Sequence, residues 1–148
     1  MAVRVQTDDF DVGAESRALQ TDNVGGIALF VGTVRGLSSD NGVAAMTLEH
    51  YPGMTESELE RIEAEARVRW PLEDVTIIHR VGRLRAGDQI VLVATASTHR
   101  QAAFDAAQFI MDFLKTVAPF WKAEERDGKT SWVDTRDSDI AARDKWTK

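Results

Sequence analysis

Apolar, strand-forming runs come in adjacent pairs along this chain, and that pairing limits its possible folds more than any other feature. Ile27–Val34 follows Gly25-Gly26 and reads as a buried strand. Val43–Tyr51 comes after the polar, turn-rich loop Gly36–Gly42 and reads as its hairpin partner. Asp74–Val81 and Gln89–Ser97 form a second pair around Gly82–Asp88. Phe120–Glu125 and Thr130–Val133 form a third around Asp127-Gly128. Adjacent strands with short connections favour a mainly antiparallel α+β domain over a doubly wound parallel one.

Helical patterns separate the pairs. Leu59, Ile62, Ala66 and Trp70 recur on one helical face, with the ion pairs Glu63–Arg67 and Glu65–Arg69 on the other side. Thr55 and Glu58 have capping-box spacing, Met54 and Leu59 fit a hydrophobic staple, and Pro71 ends the run. Gln101–Val117 is a second strong helix, its stripe of Ala103, Ala107, Ile110, Leu114 and Val117 widened by Phe104 and Phe113. Phe10–Leu19 reads as a short first helix. The chain, 1–148, reads as a single domain in which Asp134 onward is polar and charged, with residues 136–148 a C-terminal tail that has room for one helical turn.

Composition narrows the function classes. There is no cysteine, which removes disulfides, thiolate metal sites and cysteine nucleophiles together. A net charge of -6 without a basic run argues against nucleic-acid binding. No apolar run approaches the roughly 20 residues of a spanning helix, and the N-terminus has no apolar signal core, so the expected setting is cytoplasmic.

Three places carry candidate chemistry. Thr98-His99-Arg100 stands where a strand hands over to a helix. A helix start has free N–H groups and ordinarily draws acids, so two basic residues there suit a phosphate or carboxylate ligand. The alternative is that both point into water or pair with acids. Lys115 at a helix end and Lys122 in Pro119-Phe-Trp-Lys122 form the second place. Two neighbouring lysines lower each other's proton affinity and become usable as acids, bases or nucleophiles, while a lysine in a last helical turn also simply complements the dipole. The third is Arg35, at a strand end beside a glycine-rich loop, where sites are commonly built but where a surface ion pair is as ordinary. Gly32 inside that strand marks a bulge or a close backbone approach. His50, Tyr51 and His79-Arg80 read as packing or rim residues, and the three histidines lack a metal-ligand spacing.

Taken in order, these segments resemble the large, catalytic subunits of molybdopterin synthase, the MoaE family. The matching stretches are Phe30-Val-Gly-Thr-Val-Arg35, Leu48-Glu-His-Tyr51 with Met54, and His79-Arg-Val-Gly82 with Leu84. Ser97-Thr-His-Arg100 with Ala103-Phe104, Asp112-Phe-Leu-Lys115, Pro119-Phe-Trp-Lys122 with Glu124, Asp127-Gly128 and Trp132-Val133 complete them. They span the chain from about Gly25 to Arg136. Two departures stand out: Ala123 where relatives often carry another basic residue, and Phe120 where an aliphatic is usual.

The resemblance implies an α/β-hammerhead fold and a homodimer. On each protomer it implies a small ubiquitin-like sulfur-carrier subunit of the MoaD type, giving a heterotetramer. The partner's Gly-Gly tail ends in a thiocarboxylate and threads into a pocket of the large subunit, whose walls would include Phe30 and Glu124. The substrate is cyclic pyranopterin monophosphate (precursor Z), which receives two sulfurs in turn while its cyclic phosphate opens, giving the dithiolene molybdopterin. No cofactor, metal, nucleic acid or membrane is implied. Lys115 would be the main catalytic residue and Lys122 its assistant, while Arg35, His99, Arg100 and Arg136 would hold the substrate, Arg136 reaching across the dimer. The absence of cysteine fits, because the sulfur arrives on the partner. Two other readings compete with this one. A noncatalytic module could dock a Gly-Gly tail or an anionic metabolite, and a phosphate-ester hydrolase could use the same cations.

Overall fold

A computed structural model describes residues 2–36, 45–116, 118–126, 129–133 and 137–147. Its first sheet contains β1 (Ala2–Gln6), β2 (Gly26–Thr33), β4 (Leu72–Arg80) and β6 (Gln89–Ser97), in the order β1-β4-β6-β2. Only β1 and β4 are parallel. The second sheet contains β3 (Ala45–His50), β5 (Gly82–Arg85), β7 (Phe120–Arg126) and β8 (Lys129–Val133), in the order β5-β3-β7-β8, antiparallel throughout.

Strand periodicity divides the apolar residues of the central strands between two layers. Val75, Ile77, Val91 and Val93 face the helices α2 (Met54–Arg69) and α3 (Arg100–Leu114), in a core with Leu59, Ile62, Phe109 and Ile110. Ile78, Leu92, Ala94 and Ala96 face the other way, onto Phe10 and Leu19, which flank the short helix α1 (Val12–Ala18). A third cluster of Val34, Met46, Leu48 and Leu84 fills the second sheet.

The mainly antiparallel α+β architecture agrees with the expectation, but several local expectations do not hold. Ile27–Val34 and Val43–Tyr51 are not a hairpin: β2 pairs with β6, whereas β3 pairs with β5 and β7 in the other sheet. Gly82–Asp88 is more than a turn. Its first half is the strand β5, and the chain changes sheets at Gly82, where φ is 91°. Only the return at Gly87, also at φ 91°, is a turn, closed by the Asp88 carboxylate accepting from the Arg85 N–H at 2.8 Å. The Asp127-Gly128 turn lies outside the described residues.

Helix α2 begins two residues earlier than the capping-box spacing suggests. Gly53 is its N-cap, and the Gly53 N–H donates to the Glu56 carboxylate at 3.1 Å. Met54 is exposed and no staple. Glu63 lies on the buried face of α2, 1% exposed, still bonded to Arg67 at 2.8 Å. Phe104 points outward from α3, because the small residues Ala102, Ala103, Ala106 and Ala107 take the positions against the sheet.

The C-terminal segment is folded onto the body. Helix α4 (Asp137–Asp144) runs into a 3-10 turn, Lys145–Thr147. The Trp146 ring meets those of Trp70 and Phe109 edge-on at 5.6 Å each, and its Nε1 donates to the buried Asp112 carboxylate at 2.6 Å. A single tryptophan whose flat faces and N–H both find partners docks a segment that charge alone marks as tail.

Candidate functional site

A cleft of about 680 Å³ lies where the two sheets meet the C-terminal end of α3. The end of β2 supplies Phe30 and, just beyond the strand, Arg35. Met111, Leu114 and Lys115 come from the end of α3, Lys122 from β7, His79 from β4 and Asp139 from α4. A smaller hollow of about 180 Å³ adjoins it, sharing Phe30, Met111, Lys115 and Asp139.

Local chemistry fixes each contributor. Gly32 lets β2 approach β6 closely, since a Cβ there would lie 2.7 Å from a Val91 methyl, and the pairing register slips between Gly32 and Thr33. The extra residue of that irregularity, Ile90, belongs to β6 and lies opposite the strand end that leads to Arg35. Lys115 is the C-cap of α3, its N–H donating to the Met111 carbonyl at 3.1 Å. Its cationic side chain therefore stands at the negative end of the helix dipole. Between α3 and β7 the chain is tied to the start of α2. The buried Thr55 hydroxyl donates to the Pro119 carbonyl at 3.1 Å and accepts from the Tyr51 N–H at 3.0 Å. Lys122 then follows in β7, held in register between Leu48 and Val133.

His79 is the buried titratable group of the cleft. Its Nδ1 lies 2.8 Å from the Arg80 carbonyl, which can only accept, so Nδ1 carries the proton. The ring stacks on Phe120 at 3.8 Å with an interplanar angle of 18°. Burial, reinforced by the charges of Lys115, Lys122 and His50, pushes its pKa down to about 4, against the pull of the Arg80 carbonyl. His79 is thus a neutral imidazole at physiological pH.

Arg35, Lys115, Lys122 and Phe30 therefore converge from segments far apart in sequence. Glu124 lies two residues beyond Lys122 on β7, outside the cleft lining. His99 and Arg100 are exposed at the opposite end of α3, about 22 Å away at roughly 1.5 Å per residue. His99 is the N-cap without a side-chain cap bond, and the first turn holds no acid, so the N–H groups of the helix start stay available to an anion. The turn into α3 is built tightly. Buried Ser97 donates to the Pro71 carbonyl at 2.8 Å and accepts from the His99 N–H at 3.2 Å, and a Cβ at Gly25 would lie 2.1 Å from the Thr98 carbonyl oxygen. Arg136 lies outside the described residues. His79, Met111 and Asp139 were not expected in the site. A strand histidine among apolar neighbours carries no local signal of what its ring meets, and Asp139 belonged to the presumed tail. Among the described residues no group of three or more His, Cys, Asp or Glu side chains is placed to hold a metal ion.

Comparison with known proteins bears on what such a cleft does. The family model described as MoaE protein matches residues 5–117. The molybdopterin synthase catalytic subunit of Pseudomonas aeruginosa is 53% identical over 148 residues, covering 99% of both chains. That of Rhizobium meliloti is 55% identical over 153 residues, covering all of this chain and 97% of its own. The solved structure of a molybdopterin biosynthesis MoaE protein from Burkholderia ambifaria superposes with a TM-score of 0.83 at 54% identity, over 99% of this chain and 98% of that one.

Proposed function

Because the chain belongs to the MoaE protein family, we propose that its Lys115–Lys122 cleft carries out the sulfur transfer of a molybdopterin synthase catalytic subunit. A small ubiquitin-like subunit brings the sulfur as a C-terminal thiocarboxylate, and cyclic pyranopterin monophosphate receives it. Each delivery forms a carbon–sulfur bond on the pterin side chain and breaks a carbon–oxygen bond there, one oxygen leaving with the opened cyclic phosphate and the other as water, while the acyl–sulfur bond of the partner's tail is hydrolysed to a carboxylate. Two deliveries give the dithiolene.

The observation that carries this reading is the convergence of Arg35, Lys115 and Lys122 on one cleft. Thiocarboxylate and phosphate are both anions, and bringing them together requires fixed positive charge in a site sheltered from water. Lys115, which lines both hollows, stabilises charge on the reacting sulfur and acyl oxygen. Lys122 assists it, and Arg35 takes the phosphate, for which its planar fork is suited. Phe30 and Met111 supply apolar wall for a glycine tail and a pterin ring. Glu124, farther along β7, is assigned to the wall that meets the partner's tail. We place the reaction in the cytoplasm; no helix among the described residues is long and apolar enough to cross a membrane.

His99 and Arg100 enter the same site from a second copy. One pterin phosphate cannot touch both ends of α3, so the pair serves the Lys115 cleft only across a dimer. The edge strand β2 exposes Leu29 and Phe30, and α3 exposes Phe104, apolar side chains that a second copy would cover. Arg136 is assigned to the same cross-dimer group.

The test is reconstitution. The chain, thiocarboxylated partner and precursor Z should give molybdopterin, read as its oxidised fluorescent derivative. A complex in native mass spectrometry that makes no product would favour a noncatalytic docking module instead. Mixing Lys115→Ala chains with Arg100→Ala chains should restore activity that neither has alone; no restoration would refute the cross-dimer assignment.

A further inference from the structure

The imidazole of His79 has no place in the chemistry above, yet the fold invests in its orientation. It is 6% exposed and lines the cleft between the two lysines' elements. Its Nδ1–H is committed to the Arg80 carbonyl, and Phe120 lies flat against its face. Among the described residues, Nε2 has no hydrogen-bond partner, so the ring carries one unused lone pair into a region of positive charge. The charged or titratable groups around it are Lys115 of α3, Lys122 of β7 and His50 of β3, with Arg35 and Asp139 farther along the same cleft. Of the two lysines, Lys115 acts on the ring more strongly. A protonated ring would add a third cation beside the lysines, whereas a neutral one offers an acceptor to an ammonium.

We propose that His79 is a positioning residue for Lys115: with the partner's tail in the cleft, its Nε2 lone pair, unpaired among the described residues of the free chain, accepts a hydrogen bond from the Lys115 ammonium and aims that charge at the reacting acyl group. This rests on the sulfur-transfer reading of the cleft. The bond to Arg80 selects the tautomer with the lone pair on Nε2, and the Phe120 stack stops the ring from turning away. The low proton affinity of His79 keeps the acceptor available through the physiological range.

Two substitutions separate this role from a structural one, because each amide copies one ring nitrogen. His79→Asn places an N–H near Nδ1 and can keep the Arg80 bond, but offers nothing at Nε2. His79→Gln places its carbonyl near Nε2 and loses the Arg80 bond. Both are assayed in the complete complex with thiocarboxylated partner and precursor Z, beside wild type and Lys115→Ala, with thermal melting as the check on folding. His79→Asn should lose about ten- to a hundredfold in kcat, the worth of one charge-assisted hydrogen bond, with KM little changed. His79→Gln should recover most of kcat. The reverse order, with Asn active and Gln defective, would assign His79 to holding the Arg80 carbonyl and overturn the proposal, as would wild-type kcat in both. A wild-type chain without product would remove the sulfur-transfer reading and this inference with it. An active wild type with indifferent His79 variants would remove this inference alone.

Discussion

Replacing Arg67 by alanine should reveal a buried charge. Glu63 is 1% exposed on the inner face of α2, with one carboxylate oxygen bonded to Arg67 at 2.8 Å and the other without a hydrogen-bond partner among the described residues. Arg67 also reaches Asp74 at 3.2 Å. Removing one member of a buried ion pair costs about 3–5 kcal/mol, because the other charge is left uncompensated. The Arg67 side chain is 33% exposed, so water already screens part of the interaction and the expected cost falls to about 2–3 kcal/mol. At about 3 °C per kcal/mol for a chain of this size, Tm should drop by roughly 6–9 °C at neutral pH. The pH dependence gives the sharper check. Burial raises the pKa of Glu63 above the ordinary carboxylate value even against the pull of Arg67. The folded state therefore holds this proton more tightly than the unfolded one. Stability from this group is full below the ordinary carboxylate range and is lost as pH rises through the raised value. Without Arg67 that value climbs further, so the variant's deficit should be small, about 1 kcal/mol, near pH 4 and full by pH 7. Glu63→Gln removes the charge itself and should cost within about 1 kcal/mol, with the pH dependence flattened. Urea unfolding of the three chains at both pH values is the assay. An Arg67→Ala deficit that is absent at neutral pH, or that grows toward acid, would refute the reasoning.

Two further substitutions test how the fold serves the site. Gly25→Ala drives a Cβ into the Thr98 carbonyl and must open the turn that presents His99 and Arg100. It should cost about 2 kcal/mol in unfolding experiments and raise KM for precursor Z, and an unchanged KM would detach that turn from substrate binding. Trp146→Ala removes the ring that docks the C-terminal segment and leaves Asp112 without its 2.6 Å donor. It should lower stability by about 2–3 kcal/mol and reduce product formation by freeing Asp139 from the cleft, whereas full activity in the assay would show that α4 is only a structural strap.

The sequence made the site's cations legible for a physical reason. Lysines and arginines at element ends break the local pattern, since Lys122 interrupts an aromatic strand and His99-Arg100 sit where acids belong. The long helices and the strands Asp74–Val81 and Gln89–Ser97 were readable because their periodicity is strong. What failed was nonlocal. Whether β2 pairs with β3 depends on which sheet each joins, and each takes partners distant in sequence, β2 pairing with β6 and β3 with β5 and β7. Trp146 looks like part of a polar tail because its partners, Trp70, Phe109 and Asp112, are far away in sequence. His79 was legible only as a strand histidine, since its meaning comes from Phe120 on one face and two lysines beyond. That His99 and Arg100 stand a helix length from Lys115 follows directly from the extent of α3, a fact of geometry that the motif order conceals.

The central claim is that partner-borne sulfur is transferred at Lys115. Single-turnover reaction of the Lys115→Ala chain, saturated with thiocarboxylated partner and precursor Z, tests it most directly. The account predicts that the variant melts as wild type does, binds the partner in native mass spectrometry, and forms molybdopterin at least a hundredfold more slowly, about the loss expected on removing a group that stabilises reacting charge. Wild-type single-turnover rates in that variant would contradict it and move the chemistry elsewhere on the chain.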